Sequence, residues 1–391
     1  MSSSKQVQEE SFNNLPVYFH NLKKKTNRYS ITDLKTNVNN RFECCFVTLG
    51  HTMHVFLTMM LPVILVVSAP LRGNTLTTMF LALGIDSNNE SLPLAYGFGI
   101  CNDSRSWNWF LKRLRNCLSG VRDVAFICNI SDVTASAISN VFPTSYIGYC
   151  CHNMFITLVG RCRDAINYEH LYWQTCKAYT MGEFEEKFVA LQNAIPSQAH
   201  WLDSIGHEKW ARSCLPNLRF NVLTAYTYIA DSSSLIFMDA EDVPITSLLD
   251  AALSSLMIVY NQRRQYGDDF GDGLTPYANT NLQRRQNKAG RCRTKRIHDL
   301  TYEVTEQRNV FNLNYRTHIC SCGKWRASGI PCRHVIATTK QKGKNIMDDF
   351  QLCYLSAVYR GFYGVDMVYP SLPPTDWEMP NEMIVVLPPT I

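Results

Sequence analysis

Between residues 62 and 150 the chain runs through apolar and amphipathic stretches in an order that few folds allow. PVILVVS (62–68), TLTTMFLALGI (75–85) and SLPLAYGFGI (91–100) read as three strands in quick succession, with IDSNN as a hairpin turn between the last two. Ser104 to Leu118 then carries Trp107, Phe110, Leu111 and Leu114 on one helical stripe, with Ser104 as the expected N-cap. VAFIC (124–128) is a buried strand, SDVTASAISNVF a second helix and TSYIGYC a third short strand. Three strands, helix, strand, helix, strand is an α/β order whose front half is antiparallel.

Either side of this block the pattern changes. Residues 15–37 show helix-like spacing, followed by the turn-rich NVNN and the extended run RFECCFVTLG. From Cys151 to about Leu215 the periodicity is helical throughout, which predicts a helical insertion, and PITSLLDAALSSLMIVYNQRR (244–264) predicts a long helix with Pro244 in its first turn. Residues 265–298, which contain GDDFGDG and the basic run RRQNKAGRCRTKR, read as a charged linker, and a Pro-rich tail begins at Tyr369.

Composition limits the class of protein. With 46% hydrophobic and 18% charged residues the chain is predicted to fold, and the net charge of +5 is too small to prove contact with nucleic acid. The apolar run Val55–Val67 contains Pro62 and falls short of the roughly 20 residues a membrane span needs. MSSSKQVQEE lacks the apolar core of a signal peptide, so the 15 cysteines are expected as reduced thiols in the cytosol or nucleus.

Four of the remaining signals fall within one short segment. Cys320-Ser-Cys322, nine residues, then Cys332-Arg-His334 supplies three thiolates and an imidazole, the donor set of a tetrahedral structural zinc site. Such sites contribute about 10–16 kcal/mol in peptide fingers, enough to fold a segment with little core of its own. The competing reading is buried free thiols beside a core histidine. Cys44, Cys101, Cys117, Cys128, Cys162, Cys176, Cys214 and Cys353 are scattered and read as core, and Cys150-Cys151-His152 has no evident fourth ligand.

The Cys-x-Cys, Cys-x-His spacing with GIPCRH inside it resembles the SWIM zinc finger. Upstream, SRSWNWFLKRL (104–114), VFPTSYIGYCC (141–151), EKWARSCLP (208–216), FNVLT (220–224) and VPITSLLDA (243–251) resemble, in order, the transposases of plant Mutator-like elements (MULE) and their far-red-impaired-response relatives. The resemblance implies an α/β fold: an RNase H-like mixed sheet broken by a helical insertion and followed by a small C-terminal SWIM finger. The organisation it suggests is a helical lead-in and first strand over 1–60 and a transposase-like domain over 61–262 with its insertion at about 151–225. A basic linker over 263–298, a finger over 299–345 and a tail over 346–391 complete it.

The chemistry implied by the family uses three carboxylates to hold two magnesium ions. Carried across, the first falls on Ser68 and the second on Asn129, and only the third, Asp231, is an acid. A unit charge 4 Å from a divalent ion is worth about 8 kcal/mol at an effective dielectric of 20, which a hydroxyl and an amide do not replace. Asp86 and Asp132 read as turn and cap residues rather than substitutes. Asn153 also stands where the family often has the histidine of a Cys-x-x-His.

The expected protein is therefore not an enzyme. It is a nuclear, zinc-binding, DNA-associated chain with one structural Zn2+ at Cys320, Cys322, Cys332 and His334, and with no membrane or small-molecule substrate. DNA contacts are expected from Lys324, Arg326, Arg333, Arg284, Arg285, Arg291, Arg293, Lys295 and Arg296. The alternatives are an active strand-transferase with an unrecognised carboxylate set, and an adaptor that binds protein partners or a second copy of itself.

Overall fold

The structure is a computed structural model that describes residues 2–26, 30–71, 76, 78–118, 124–215, 243–364 and 376–390. A seven-stranded mixed sheet forms its centre, built from β1 (Ile31–Thr36), β2 (Phe42–Thr48), β3 (Leu61–Pro70), β4 (Thr78–Ile85), β5 (Ser91–Gly99), β6 (Ala125–Cys128) and β7 (Ile147–Tyr149). The spatial order is β1-β2-β5-β4-β3-β6-β7. All neighbours are antiparallel except β3–β6 and β6–β7. From β5 to β7 this is the mixed arrangement implied by the RNase H-like resemblance, with β1 and β2 added at one edge.

The central strands are near-continuous apolar runs because both of their faces are covered; every residue of β4, β5 and β6 is buried. The β4–β5 register shifts between Ala82 and Leu83, where Pro93 enters the ladder without an N–H to donate. On one face α4 (Ser104–Cys117) and α5 (Asp132–Val141) pack against each other, and Trp107, Phe110, Leu111 and Leu114 point into the core as the stripe predicts. The cap of α4 is Asp103 rather than Ser104, and it accepts from the Ser106 N–H at 2.8 Å.

Three expectations need correction. Residues 31–36 are the strand β1, not an extension of the helical lead-in. The lead-in ends with α2 (Leu15–Lys25), which follows α1 (Ser2–Asn13), and α3 (Gly50–Met59) comes after β2. The segment read as a basic linker is built structure: α10 (Ile245–Asp268) runs past the predicted end, α11 (Pro276–Ala289) follows, and β8 (Cys292–His298) completes it. The predicted tail holds a further helix, whose Tyr359, Phe362 and Tyr363 are buried, and residues 376–390 return to the first helices and the sheet, where Trp377 meets Tyr18 and Leu387 pairs with Phe42.

The helical region runs through α6 (Cys151–Arg161), α7 (Glu169–Lys177), α8 (Met181–Ala194) and α9 (Pro196–Ile205) around Phe184, Phe188, Leu191 and Trp210. The end of the expected insertion, the FNVLT segment and Asp231 lie outside the described residues. Beyond β8, β9 (Thr301–Glu306), β10 (Asn309–Asn314) and β11 (Ile319–Cys320) close a four-stranded sheet in the order β11-β10-β9-β8, which leads into α12 (Lys324–Ser328), α13 (Arg333–Gln341) and α14 (Ser356–Tyr363).

These parts meet at the β4–β5 turn. The Asp86 side chain is fully buried, takes turn N–H groups from Asn88 and Glu90 at 2.9 Å each, and receives Tyr363 Oη at 2.8 Å and Arg263 Nη1 at 3.3 Å. In the same turn Ser87 O accepts from Thr275 Oγ1 and Asn88 Oδ1 from the Tyr277 N–H, both at 3.0 Å, which docks the start of α11. A charge this deep is tolerated only while paired. Arg263→Met should therefore lower unfolding stability by about 3–5 kcal/mol in denaturant titration, because it strands the Asp86 carboxylate.

Candidate metal centre

The four predicted ligands converge. Cys320 ends β11, Cys322 lies in the turn that follows, Cys332 is the N-cap residue of α13 and His334 stands in its first turn. Their donor atoms all lie within 4.8 Å of one another, and all four residues are buried. His334 Nδ1 is 3.4 Å from Cys320 Sγ and 3.9 Å from Cys332 Sγ. Zinc bonds of about 2.3 Å to sulfur and 2.0–2.1 Å to nitrogen at tetrahedral angles require donor separations of about 3.5–3.8 Å, so the donors need to close by about 1 Å at most to hold the ion.

The local backbone is arranged for this convergence. Gly323 and Gly329 bound α12 with φ of +74° and +68°, a region costly for other residues. A Cβ on Gly323 would stand 2.6 Å from the Tyr179 carbonyl oxygen, so the glycine also lets the finger lie against the helical region. Around the cage is a small core of eight buried residues, Tyr302, Val304, Leu313, Trp325 and Val335 with the three cysteines. Five apolar residues are too few to hold a fold of their own, so the metal supplies what the core lacks.

The three thiols act strongly on one another. Hydrogen bonds from the Cys320 and Cys332 thiols hold Cys322 far below the usual thiol range, the same contact with Cys322 pushes Cys320 far up, and burial pushes Cys332 up to about 12. A zinc ion would hold all three sulfurs as thiolates and release their protons, so affinity rises with pH.

One site residue escaped the sequence reading. His334 Nδ1 is turned to the sulfurs and Nε2 faces Glu306 Oε2 at 3.4 Å, so metal on Nδ1 would leave the ring proton on Nε2, while Arg333 Nη2 grips the same oxygen at 2.5 Å. Phe311 stacks on the imidazole at 4.0 Å between ring centroids. Glu306 thus fixes the ring's tautomer and tilt, as outer carboxylates do at zinc sites. Nothing in YEVTEQRNV marks it, because its role arises only when β9 pairs beside α13.

The second set of predicted positions lies at one end of the large sheet. The parallel register pairs Val66 with Cys128, so Asn129, just past β6, lies level with Val67, one residue before Ser68 on β3. Ser68 Oγ accepts from Asn102 Nδ2 at 3.1 Å, and Trp107 Nε1 donates to Asn102 Oδ1 at 2.8 Å. Asn129 Oδ1 accepts from Asn153 Nδ2. Asp86 lies at the opposite end, because Ile85 pairs with Leu61 whereas Ser68 pairs with Phe80. Asp132 is exposed in the first turn of α5. Among the described residues the finger cage is the one group of three or more His, Cys, Asp or Glu that could hold a metal.

Residues 71–156 match the family model of the MULE transposase domain. Residues 316–343 match that of the SWIM zinc finger and contain all four ligands. No curated protein matches the chain. The first match spans β4 to α6 and includes Asn129; Ser68 lies just before it. The cage, with its Cys3His donor set, fits one structural Zn2+ at the SWIM position.

The other predicted residues divide. Arg285 Nη1 donates to Ile330 O at 2.5 Å and Pro331 O at 3.0 Å, which fixes the loop before Cys332, and Arg333 is held by Glu306. Lys324 lies 5.2 Å over the Tyr179 ring, and Arg326 lines a cleft of about 600 Å³ with Thr58 and Met59 of α3. Arg284, Arg291, Arg293, Lys295 and Arg296 are exposed, with Arg296 paired to Asp299 at 2.6 Å. Cys151 donates to Trp210 O at 3.3 Å as a buried packing thiol, and Cys101, expected in the core, is exposed just past β5.

Two substitutions test the centre. Glu306→Gln should weaken zinc binding by about 10- to 100-fold in competition with a chelating dye while the fold is kept. Cys332→Ser should remove the zinc, and amide hydrogen-exchange protection should fall over residues 315–345 with the large sheet unaffected.

Proposed function

We propose that this chain is a zinc-binding, non-catalytic, DNA-associated protein derived from a Mutator-like transposase. The reading places it among the plant far-red-impaired-response relatives and puts it to work in the nucleus, with the RNase H-like sheet as scaffold and the finger as the contact module. The observation that carries it is the contrast between the two sites. The finger keeps a full set of four converging ligands, whereas β3 and the end of β6 have a hydroxyl and an amide where two magnesium-binding carboxylates are expected, each already engaged by an asparagine.

Chemistry supports the contrast. Magnesium requires charged, hard oxygen ligands, and Asn102 and Asn153 offer N–H donors toward the very oxygens that would have to face it. A scaffold that retains its core but fills the catalytic edge with mutually bonded neutral groups is suited to binding. DNA association would then rest on the exposed cations around the finger, whose phosphate contacts are sensitive to salt.

The test is magnesium-dependent nicking of DNA alongside binding. The purified chain should bind duplex DNA with an affinity that falls steeply with salt and is lost when zinc is stripped, and it should not nick. Nicking by the unaltered chain would overturn the non-catalytic reading. Cleavage gained in a Ser68→Asp, Asn129→Asp variant would identify the sheet as a disarmed transposase scaffold.

A further inference from the structure

A groove of about 1170 Å³ runs between α11 and β8 on one side and α13 with the turn after it on the other, beside the metal cage. Among the described residues its lining contains three cations, Arg293, Lys340 and Lys344, and not one acidic side chain. All three cations are exposed, and none of them has a carboxylate partner among the described residues. Lys342, between two of them in sequence, is turned away over Tyr315 and Tyr302, with its ammonium 3.9 and 5.1 Å from the ring centroids. The amides of Gln286, Gln341 and Asn345 stand among the cations, and Thr294 Oγ1 donates to Gln341, tying the two walls together.

We infer that this groove is where the protein holds a nucleic-acid backbone, with Arg293, Lys340 and Lys344 as the phosphate contacts. The inference rests on the DNA-associated reading above and commits it to one surface, with two lysines that the sequence reading did not select. A protein partner would find few anchors, because the lining has no aromatic or Met side chain and a single arginine. Unpaired cations interleaved with amide donors and acceptors suit phosphates and sugars. One wall is the helix that Cys332 caps and His334 begins, so loss of zinc would dismantle the groove and with it DNA binding, without the metal itself touching DNA.

The surface can be distinguished from the other basic residues. Arg284 and Lys288 are also exposed on α11, but each is two residues from Gln286, about 200° round the helix, so they lie off the groove. Binding of a short random-sequence duplex would be measured from 50 to 200 mM salt for the full zinc-loaded chain. It would be repeated for an Arg293→Gln, Lys340→Gln, Lys344→Gln variant and for an Arg284→Gln, Lys288→Gln variant, with zinc content checked in each. Three lost phosphate contacts should reduce the slope of log affinity against log salt by about 2.7 in the groove variant, while the α11 pair leaves it unchanged.

If the unaltered chain does not bind DNA, both the groove and the DNA-associated reading fall. If it binds and the groove variant binds as tightly with the same slope, the groove alone is refuted. If poly-glutamate binds the unaltered chain but not the groove variant, while DNA binding is the same in both, the groove belongs to an acidic protein partner and the inference is overturned.

Discussion

Three thiols and an imidazole held within 4.8 Å of one another in a nearly dry pocket are the constraint on which the C-terminal part depends. They place four polar groups in a core with only five other buried residues. Bound to one divalent ion they become the strongest tie in that region. Everything around the cage is arranged to keep it in place: left-handed glycines turn the chain at both ends of α12, Arg285 reaches across from α11 to the carbonyls before Cys332, and Glu306 holds the histidine from behind.

The finger is also joined to the body rather than hung from it. Trp325 Nε1 donates to Asp349 O, Tyr354 Oη to Ser328 O, and the Gln351 N–H to Gly329 O, so the turns after α13 wrap the finger and lead directly into α14. From there Tyr363 reaches Asp86 and Arg263 at the hairpin turn. The same turn receives the start of α11, so a few hydrogen bonds fix the finger relative to the seven-stranded sheet. A rigid finger presents a fixed charged surface, which suits recognition of an extended backbone better than a module on a loose tether.

What was legible in the sequence follows from how each signal arises. The strands from 62 to 150 were readable because burial on both faces demands continuous apolar runs, and the zinc ligands because four reactive side chains within 15 residues have few other uses. The helix α11 was missed because its inward stripe is Ala278, Leu282, Arg285 and Ala289, two small residues and an arginine that looks solvent-bound until its carbonyl partners appear. β1 was missed because Ile31-Thr-Asp-Leu lacks the apolar–polar alternation of a strand, and on this edge strand Thr32 is the one buried residue. Glu306 and the lysines of the groove act only through tertiary neighbours, and no spacing rule marks them.

The measurement that bears most directly on the account is zinc X-ray absorption on the purified chain. The account predicts one zinc per chain with three sulfur neighbours at about 2.3 Å and one nitrogen at about 2.0–2.1 Å. A first shell dominated by oxygen, a four-sulfur shell, or a folded finger without bound metal would contradict it.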